Sequence, residues 1–421
     1  MHNRNTVRYY LLLTALLFFL FISNDFGLVD VEKTAIVMAV GIDREEDTFI
    51  ITSQIAIPEE KQQGASKTTQ MVSRGKTVAE AFEEINDKTG WYPKLVFCRL
   101  ILFGEKAAQQ NLFDALDFFL RDEYVSDDCL LAVCDGVAKD FLNVQTPTNG
   151  VSSLAIQALL SSHAERVGAV MPNTLREFSA TSAGDAKSGY LPVVKIEEPQ
   201  EEVGGETGEP KNPSGSSGDS GSAGSASGGS GSSGSGGSGG QGQSGAGLTS
   251  GKEKVFVVAK TALFKNGVQV GELDKTQTFA FGAVKTDFKL APYTFTADER
   301  AYTLTIKHNA PKIELKFDKT GVVKLKIDVV MTAGIADFSK STNANQVRDV
   351  GAVPKKVLQS AGETLRKEIE ETVKRTNEVD CDVLGLVDTL KKYHNDYFNA
   401  FKDDLLSRLS VSVNVKFKSV R

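Results

Sequence analysis

The sequence predicts an α+β protein with mixed and antiparallel β-sheets, packed helices and an N-terminal membrane segment, its folded part forming two or three extracytoplasmic domains. Three observations predict this class: an apolar run over residues 9–22, alternating strand and helix periods after it, and a Gly/Ser tract over 204–251. The predicted divisions are a signal anchor over 1–28, an N-terminal domain over 29–196, a linker or insertion over 197–253 and a C-terminal domain over 254–421.

The apolar run is the basis of the predicted membrane segment. Arg4 and Arg8 precede it and acidic residues follow it, a bias that predicts an extracytoplasmic chain from about residue 23 onward. Its helical length of about 21 Å is short of the roughly 30 Å hydrocarbon core, so a cleaved signal peptide stays an alternative. Phe21-Ile22-Ser23 is a poor small-x-small cleavage site. An uncleaved anchor spanning about residues 7–28 is therefore favoured.

The charge and cysteine content of the chain bear on two questions, whether it binds nucleic acid and whether it contains disulfides. The 421 residues include 48 basic and 54 acidic side chains, interspersed, with a formal net charge of −6. No basic face for a run of phosphates is expected, so nucleic acid is not an expected partner. Cys98, Cys129, Cys134 and Cys381 are sparse and stand in apolar contexts, which predicts free core thiols. The strand-like spacing of Cys129 and Cys134 predicts opposite faces of a sheet.

The first folded region begins with a predicted hairpin. Residues 34–40 and 48–57 are rich in β-formers and are joined by a polar stretch over 41–47. Residues 77–89 then have apolar side chains at helical spacing, with Thr77 as the N-cap and Glu80 completing a capping box. Short strands and helices alternate after that, which predicts a mixed sheet with helices packed on it. The strands are predicted over 95–103, 128–134 and 190–196, and the helices over 112–120, 140–144, 151–161 and 174–179.

The Gly/Ser tract is predicted to be disordered, because its composition buries too little apolar surface to offset the entropy of ordering. Two arrangements fit the sequence. The tract separates two domains, or it is a long insertion between two strands that pair. If the tract is such an insertion, residues 190–196 and 255–264 should lie close together.

The second folded region opens with a predicted hairpin over 255–264 and 268–273, whose Lys265-Asn266-Gly267 turn needs positive φ. A meander is predicted next, with strands over 302–306, 312–317 and 322–330, the last two joined by a turn at 318–321. Residues 354–374 form an amphipathic pattern, and further helices are predicted over 382–390 and 393–406. Residues 409–417 alternate apolar and polar side chains strictly, which predicts a strand with one buried face.

No catalytic, cofactor or metal site is predicted, and the sequence does not identify ligand-binding residues. Glycine spacings in the tract lack the strand and helix of a phosphate-binding site, and the Gly-x-Ser-x-Gly match at 236–240 lacks a nucleophile elbow. Asp43, Glu45 and Asp47 alternate like the start of an EF-hand loop. Thr48 and Gln54 replace the glycine and the bidentate glutamate that such a loop needs, so a solvated hairpin turn is predicted there.

The remaining candidates favour structural interpretations, and the chain is predicted not to be an enzyme. The histidines are far apart, and His394 is expected to face solvent; they are His2, His163, His308 and His394. Four carboxylates at a helix end are predicted to form a solvated loop: Asp122, Glu123, Asp127 and Asp128. Trp91-Tyr92-Pro93 could stack on a sugar or a base, but packing of that loop onto the core is favoured.

The ordered blocks resemble the Ger(x)C family, the C subunits of nutrient germinant receptors in spore-forming bacteria. Residues 39–43 (Ala-Val-Gly-Ile-Asp) and 52–58 are similar to its opening strands and Gly-Ile-Asp turn. Later blocks are similar in the same order: residues 94–104, 112–121, 130–136, 261–265, 270–273, Cys381-Asp382-Val383-Leu384-Gly385 and the closing strand. Lys260, Phe398 and Cys98 depart from the usual Gly, Trp and His. Residues 24–26 lack the usual lipoprotein cysteine.

The resemblance implies a non-catalytic, extracytoplasmic subunit in the spore inner membrane, without a cofactor and needed for nutrient-triggered germination. Its implied partners are the membrane, a polytopic A subunit and a transporter-like B subunit. The alternative function is a membrane-tethered binding module for a cell-wall glycan or another ligand.

Overall fold

A computed structural model describes residues 2–22, 34–57, 68–146, 150–198, 254–317, 322–339 and 353–420. The predicted disordered tract and the predicted turn at 318–321 lie outside these residues. Helix α1 (His2–Ile22) contains the N-terminal apolar run. Within the part of the chain that is described, no helix combines the length and the apolar character needed to cross a membrane.

Ten strands of the described residues form a first sheet. They are β1 (Thr34–Glu45), β2 (Thr48–Ala56), β3 (Thr68–Gly75), β4 (Tyr92–Lys94), β5 (Leu100–Phe103), β6 (Leu130–Cys134), β7 (Asn173–Thr174), β8 (Ser188–Glu197), β9 (Val255–Lys265) and β10 (Val268–Leu273). Their order is β10-β9-β8-β6-β5-β1-β2-β3, with β4 beside β1 and β7 beside β6. The neighbours β1, β5, β6 and β8 are parallel, and the outer strands pair antiparallel.

Helices cover both faces of this sheet. They are α2 (Val78–Thr89), α3 (Glu105–Ala108), α4 (Phe113–Arg121), α5 (Ala138–Asn143), α6 (Ser152–Leu159), α7 (Ser162–Arg166) and α8 (Leu175–Ala183). One core cluster joins the sheet to α2, α4 and α8, and a second joins the opposite face to α5 and α6. Because both faces are covered, β5 is fully buried, and β6 is buried except for its half-buried first residue, Leu130. The predicted mixed sheet with packed helices is confirmed.

A second sheet contains β11 (Ala291–Ala297), β12 (Arg300–Phe317), β13 (Val323–Phe338) and β14 (Leu409–Ser419), in that order. The first three form the predicted antiparallel meander, and β14 pairs parallel to β13. The associated helices are α9 (Lys275–Lys285), α10 (Lys355–Glu378), α11 (Leu386–Tyr393) and α12 (Asn395–Phe401). The five apolar residues predicted on one face of α10 are buried: Val357, Ala361, Leu365, Ile369 and Val373. The apolar positions of β14 are more buried than its polar ones, as predicted.

The strand predictions on either side of the Gly/Ser tract decide between its two arrangements. β8 pairs antiparallel with β9, from Ser188 opposite Lys265 to Glu197 opposite Val255. The expectation that these segments lie close together is therefore confirmed, and residues 1–197 and 254–421 belong to one compact unit. The hairpin of β9 and β10 is also confirmed, with φ of 53° at Asn266 and 76° at Gly267.

Several element boundaries were predicted wrongly for identifiable reasons. β1 continues through Glu45, so only Glu46 and Asp47 form the first turn, where the polar sequence predicted seven residues. β12 is one continuous strand across the predicted break at 307–311. β11 pairs only with residues 300–306, so no strand on that side needs an N–H from Pro311. The predicted helix over 382–390 begins only at Leu386, because Gly385 has a left-handed φ of 71°. β3, β11 and α9 were not predicted.

A further core cluster joins the first sheet to the C-terminal segment. Cys381 Sγ donates to Phe264 O at 3.2 Å, and the Asp382 N–H donates to Ser188 Oγ at 3.0 Å. The Asp382 carboxylate accepts the N–H groups of Leu386 and Val387 at 2.9 and 2.8 Å, the first turn of α11. These contacts hold Cys381 and Asp382, which lead into α11, against the start of β8 and the end of β9.

We expect the tract to be dispensable for folding. Residues 198 and 254 flank the β8–β9 pair, so replacing residues 199–253 by Asn-Gly creates a two-residue hairpin of the favoured type. A shorter loop loses less chain entropy when its ends are brought together. The free energy of unfolding, measured by urea denaturation, should therefore rise by about 2 kcal/mol. A tract of the original length with scrambled Gly and Ser order is the control and should leave stability unchanged. Loss of a cooperative transition in the short-loop variant would contradict the pairing.

Stability should depend on pH through Glu368 of α10. Burial raises the pKa of Glu368 from 4.5 to about 7, although the Tyr293 hydroxyl, 3.1 Å from its Oε2, opposes the rise. Because the folded-state pKa is raised, this contribution is fully present below 4.5 and is lost as pH rises through about 7. The urea midpoint of the wild type should fall over that window more than that of Glu368→Gln. Glu363→Gln, an exposed change on the same helix, should keep the wild-type slope; equal slopes in all three would refute this assignment.

Candidate functional site

A cleft of about 480 Å³ lies where α7, β7, α8, β8 and α9 meet. Its polar lining includes Glu165, Glu177, Tyr190 and Lys285, side chains that come from four of these elements. β8 places Tyr190 at the wall, with its ring edge-on to Phe281 at a centroid distance of 5.0 Å. The cleft therefore combines an apolar wall with separated positive and negative groups.

Tyr190 and Lys285 are held in place by their surroundings. Asn173 Nδ2 donates to Tyr190 O at 2.9 Å, which fixes β8 against the short strand β7. Lys285 Nζ lies 4.9 Å from the centroid of the Tyr190 ring and donates to Val383 O at 3.0 Å. The Tyr190 side chain is buried, yet its hydroxyl has no hydrogen-bond partner among the described residues. Such an unpaired hydroxyl at a cleft wall is available to a ligand or to water.

Desolvation shifts the pKa of three groups that line the cleft, Glu165, Tyr190 and Lys285. Burial lowers the pKa of Lys285, although Asp382 and Glu177 oppose that shift. Burial also raises the pKa of Glu165, with repulsion from Glu177 as the second cause, and raises the pKa of Tyr190. A ligand that offers an amine to Glu165 and Glu177 and an acceptor to Lys285 or Tyr190 would relieve these costs. The arrangement suits a small molecule with both kinds of group.

Sequence reasoning had no signal for this cleft. Its glutamates come from α7 and α8, and its lysine comes from α9, beyond the Gly/Ser tract. Tyr190 occupies an apolar strand and looks like an ordinary core residue. Only the β8–β9 pairing brings α9 next to α7 and α8, so tertiary contacts define the site.

The buried position of Asp43 corrects the predicted solvated turn. Asp43 belongs to β1, and its Oδ1 and Oδ2 accept the N–H groups of Ala138 and Lys139 at 2.8 and 3.1 Å. Burial raises the pKa of Asp43, against the two hydrogen bonds that lower it. A Cβ on Gly104 would clash with Asp43 Oδ1, and one on Gly41 would lie 3.2 Å from Ala138 Cβ. Asp43 therefore caps α5 at a point where backbones approach closely.

The other residues tested for chemistry lie apart from the cleft. His308 is exposed and pairs with exposed Asp287 at 3.1 Å. His394 does not face solvent freely as predicted, because its ring packs 4.9 Å from that of Phe317. Across the described residues, no three His, Cys, Asp or Glu side chains form a possible metal site. The sequence match at 236–240 lies outside those residues.

The prediction for the acidic loop is confirmed, and the prediction for the Trp91 loop is wrong. Asp127 and Asp128 are exposed, and Asp127 pairs with Arg176 at 3.5 Å, so the predicted solvated loop is confirmed. The favoured packing of the Trp91 loop onto the core is wrong: Trp91 is 39% exposed and Tyr92 is 48% exposed. β4 forms an edge at the start of β1 and leaves these rings on the surface.

The four cysteines are free and buried, as predicted. Cys129 and Cys134 belong to core clusters on opposite faces of the first sheet, which confirms the prediction from their spacing. A hydrogen bond with Cys98 and burial raise the pKa of Cys129, and burial raises that of Cys381 to about 12. The Cys129 and Cys381 thiols therefore stay protonated and contribute to packing.

Comparisons with known proteins agree with this architecture. The family described as "Spore germination protein N-terminal domain" matches residues 28–196, and that described as "Spore germination B3/ GerAC like, C-terminal" matches residues 259–421. The chain belongs to the GerAC-like spore germination family. The solved structure titled "Crystal Structure of the GerBC protein" is similar at 16% identity, with a TM-score of 0.50. The alignment covers 91% of this chain and 97% of that one. No curated protein matches the chain.

The family assignment confirms the resemblance found in the sequence and gives the chain a germination-related role. Two of its GerAC-like blocks now have physical explanations. In Gly41-Ile42-Asp43, the glycine allows β1 to approach α5 closely, the isoleucine is part of the core, and the aspartate caps α5. Cys381-Asp382 attaches the C-terminal segment to β8 and β9. Both blocks hold the fold together, and neither lines the cleft.

We expect Asp43→Ala to destabilise the protein by about 2 to 4 kcal/mol, because it leaves one buried and one partly buried N–H donor of α5 without acceptors. Urea denaturation of the purified protein measures the change. Asp47→Ala is the matched control, since Asp47 is exposed in the adjoining turn, and it should change stability little. Equal stability of the two variants would show that the cap of α5 is dispensable.

Proposed function

We propose that this chain is a non-catalytic, extracytoplasmic subunit of a nutrient germinant receptor in the spore inner membrane. The observation that carries the proposal is the ordered match of both family domains over residues 28–196 and 259–421. The fold likeness to GerBC over 91% of the chain supports it. The subunit acts together with a polytopic A subunit and a transporter-like B subunit, as the family resemblance implies.

Membrane placement is part of this proposal. Arg4 and Arg8 before the apolar run support export with the N-terminus retained in the cytoplasm. We propose that α1 holds the exported chain at the membrane, either as a retained anchor or through its flanking residues. Mass spectrometry of the mature protein tests this placement: an intact N-terminal peptide supports retention, and a chain that begins near residue 24 overturns it.

A clean deletion of the gene tests the receptor function. Spores of the deletion strain should form normally and fail to respond to at least one nutrient germinant, while lysozyme resistance and heat resistance stay unchanged. Complementation with the wild-type gene should restore the response, and complementation with the Asn-Gly short-loop variant is the matched control for folding. Wild-type germination in every nutrient, in a strain without paralogous receptor genes, would overturn the proposal.

The cleft favours a second candidate, a membrane-tethered binding module for a cell-wall glycan or another small ligand. Its unpaired Tyr190 hydroxyl and opposed charges support this alternative. A glycan array and an amine-containing metabolite panel with the purified chain separate the candidates, with Tyr190→Phe as the site variant. A specific ligand that Tyr190→Phe loses, in spores that germinate normally without the gene, would favour the binding module.

A further inference from the structure

One edge of the first sheet lies where the chain enters the folded body. β1, β5 and β6 are parallel, so their first residues share an edge, and Thr34, the first residue of β1, pairs with Tyr92 of β4. β2 runs antiparallel and ends at the same edge, with Ala56 opposite Ile36. The turn between β4 and β5 also lies here, because Arg99 donates its N–H to Met38 O at 3.1 Å.

Exposed apolar side chains are concentrated at this edge, which we call the apolar end. Its members are 39% to 57% exposed, and they are Ile57, Trp91, Tyr92, Val96, Phe97 and Tyr124. Among described residues outside α1, fourteen large apolar side chains are exposed, so six of the fourteen belong to this one end. Water-exposed apolar clusters of this kind mark interaction surfaces, because their hydration is unfavourable.

The composition of the apolar end fits the interface of a lipid bilayer. Trp and Tyr are enriched where membranes meet water, because their rings have an apolar body and a polar edge. Lys94 Nζ lies 5.4 Å from the centroid of the Tyr124 ring, which places a cation among the aromatic groups. Such a cation pairs favourably with anionic lipid headgroups. Two acidic residues, Asp122 and Glu123, adjoin Tyr124 at the rim.

Chain length ties the apolar end to α1. α1 ends at Ile22 and β1 begins at Thr34, so eleven residues join them. Even a fully extended chain of this length spans only about 40 Å. The edge that contains Thr34 is therefore the part of the folded body with the shortest tether to the N-terminal segment.

We propose that the apolar end docks on the phospholipid bilayer surface to which α1 attaches the chain. This inference rests on the proposed membrane attachment. Trp91, Tyr92, Val96 and Phe97 enter the interfacial region, and Lys94 meets the headgroups. The first sheet then stands with this edge toward the membrane.

Trp91 is the only tryptophan of the chain, so its fluorescence reports on this surface without labelling. The full-length protein is reconstituted in vesicles of phosphatidylethanolamine and phosphatidylglycerol, with and without lipids brominated near the headgroup. Docking should shift the Trp91 emission to the blue, quench it in brominated vesicles and protect it from acrylamide. Phe97→Ser should shift the docked-to-undocked ratio roughly tenfold toward the undocked state. Tyr393→Ser removes an exposed ring elsewhere and should change nothing.

The outcomes separate docking from attachment. Protein that floats with the vesicles while Trp91 stays open to acrylamide and unquenched by bromine overturns docking and leaves attachment intact. Protein that fails to float overturns the attachment as well as the docking that depends on it. Protection of Trp91 from acrylamide without bromine quenching indicates a protein contact at the apolar end and also overturns the inference.

Discussion

The antiparallel pairing of β8 with β9 is the constraint on which the rest of the structure depends. It closes the chain across the Gly/Ser tract and places β9 and β10 in the same sheet as β1 to β8. α9 follows β10 directly, so the pairing also sets the position of Phe281 against Tyr190 and of Lys285 beside Glu165. Without this pairing, the two family domains would share no sheet and the cleft would have no lysine wall.

Two buried carboxylates reinforce this architecture at the points where separate segments meet. Asp43 caps α5, and Asp382 caps α11. The N–H of Asp382 also donates a hydrogen bond to Ser188 Oγ of β8. Each carboxylate is desolvated, which raises its pKa, and each recovers part of that cost by accepting two backbone N–H groups. The crevice at the carboxyl ends of parallel strands commonly holds a ligand. Here Asp43 and Gly104 occupy that position, which explains why the cleft lies elsewhere.

The sequence was most informative where a local pattern determines local structure. Thr77 caps α2 and accepts from Glu80 N, the alternation of β14 gives one face that is more buried than the other, and Asn266-Gly267 forms the turn that needs positive φ. Polarity misled where a polar residue has a tertiary partner, as with Asp43, which looks like a turn residue and is buried against α5. The cleft was not predictable, because its groups are adjacent only through β8–β9 pairing across the tract. The apolar end was missed because loop aromatics usually pack inward.

The cleft and the apolar end lie at the same edge of the first sheet. Tyr190 and Leu130 are near the first residues of β8 and β6, as Tyr92 and Thr34 are near the start of β1. β8 and β1 are three strand steps apart, or about 14 Å at ordinary spacing, and the register puts Tyr190 level with Ala39, about 17 Å along β1 from Thr34. A body docked through its apolar end would therefore open the cleft close to the bilayer surface. Groups carried by membrane-embedded partners could reach Glu165 and Lys285 there, so the same orientation serves a ligand or a protein segment that emerges from the membrane.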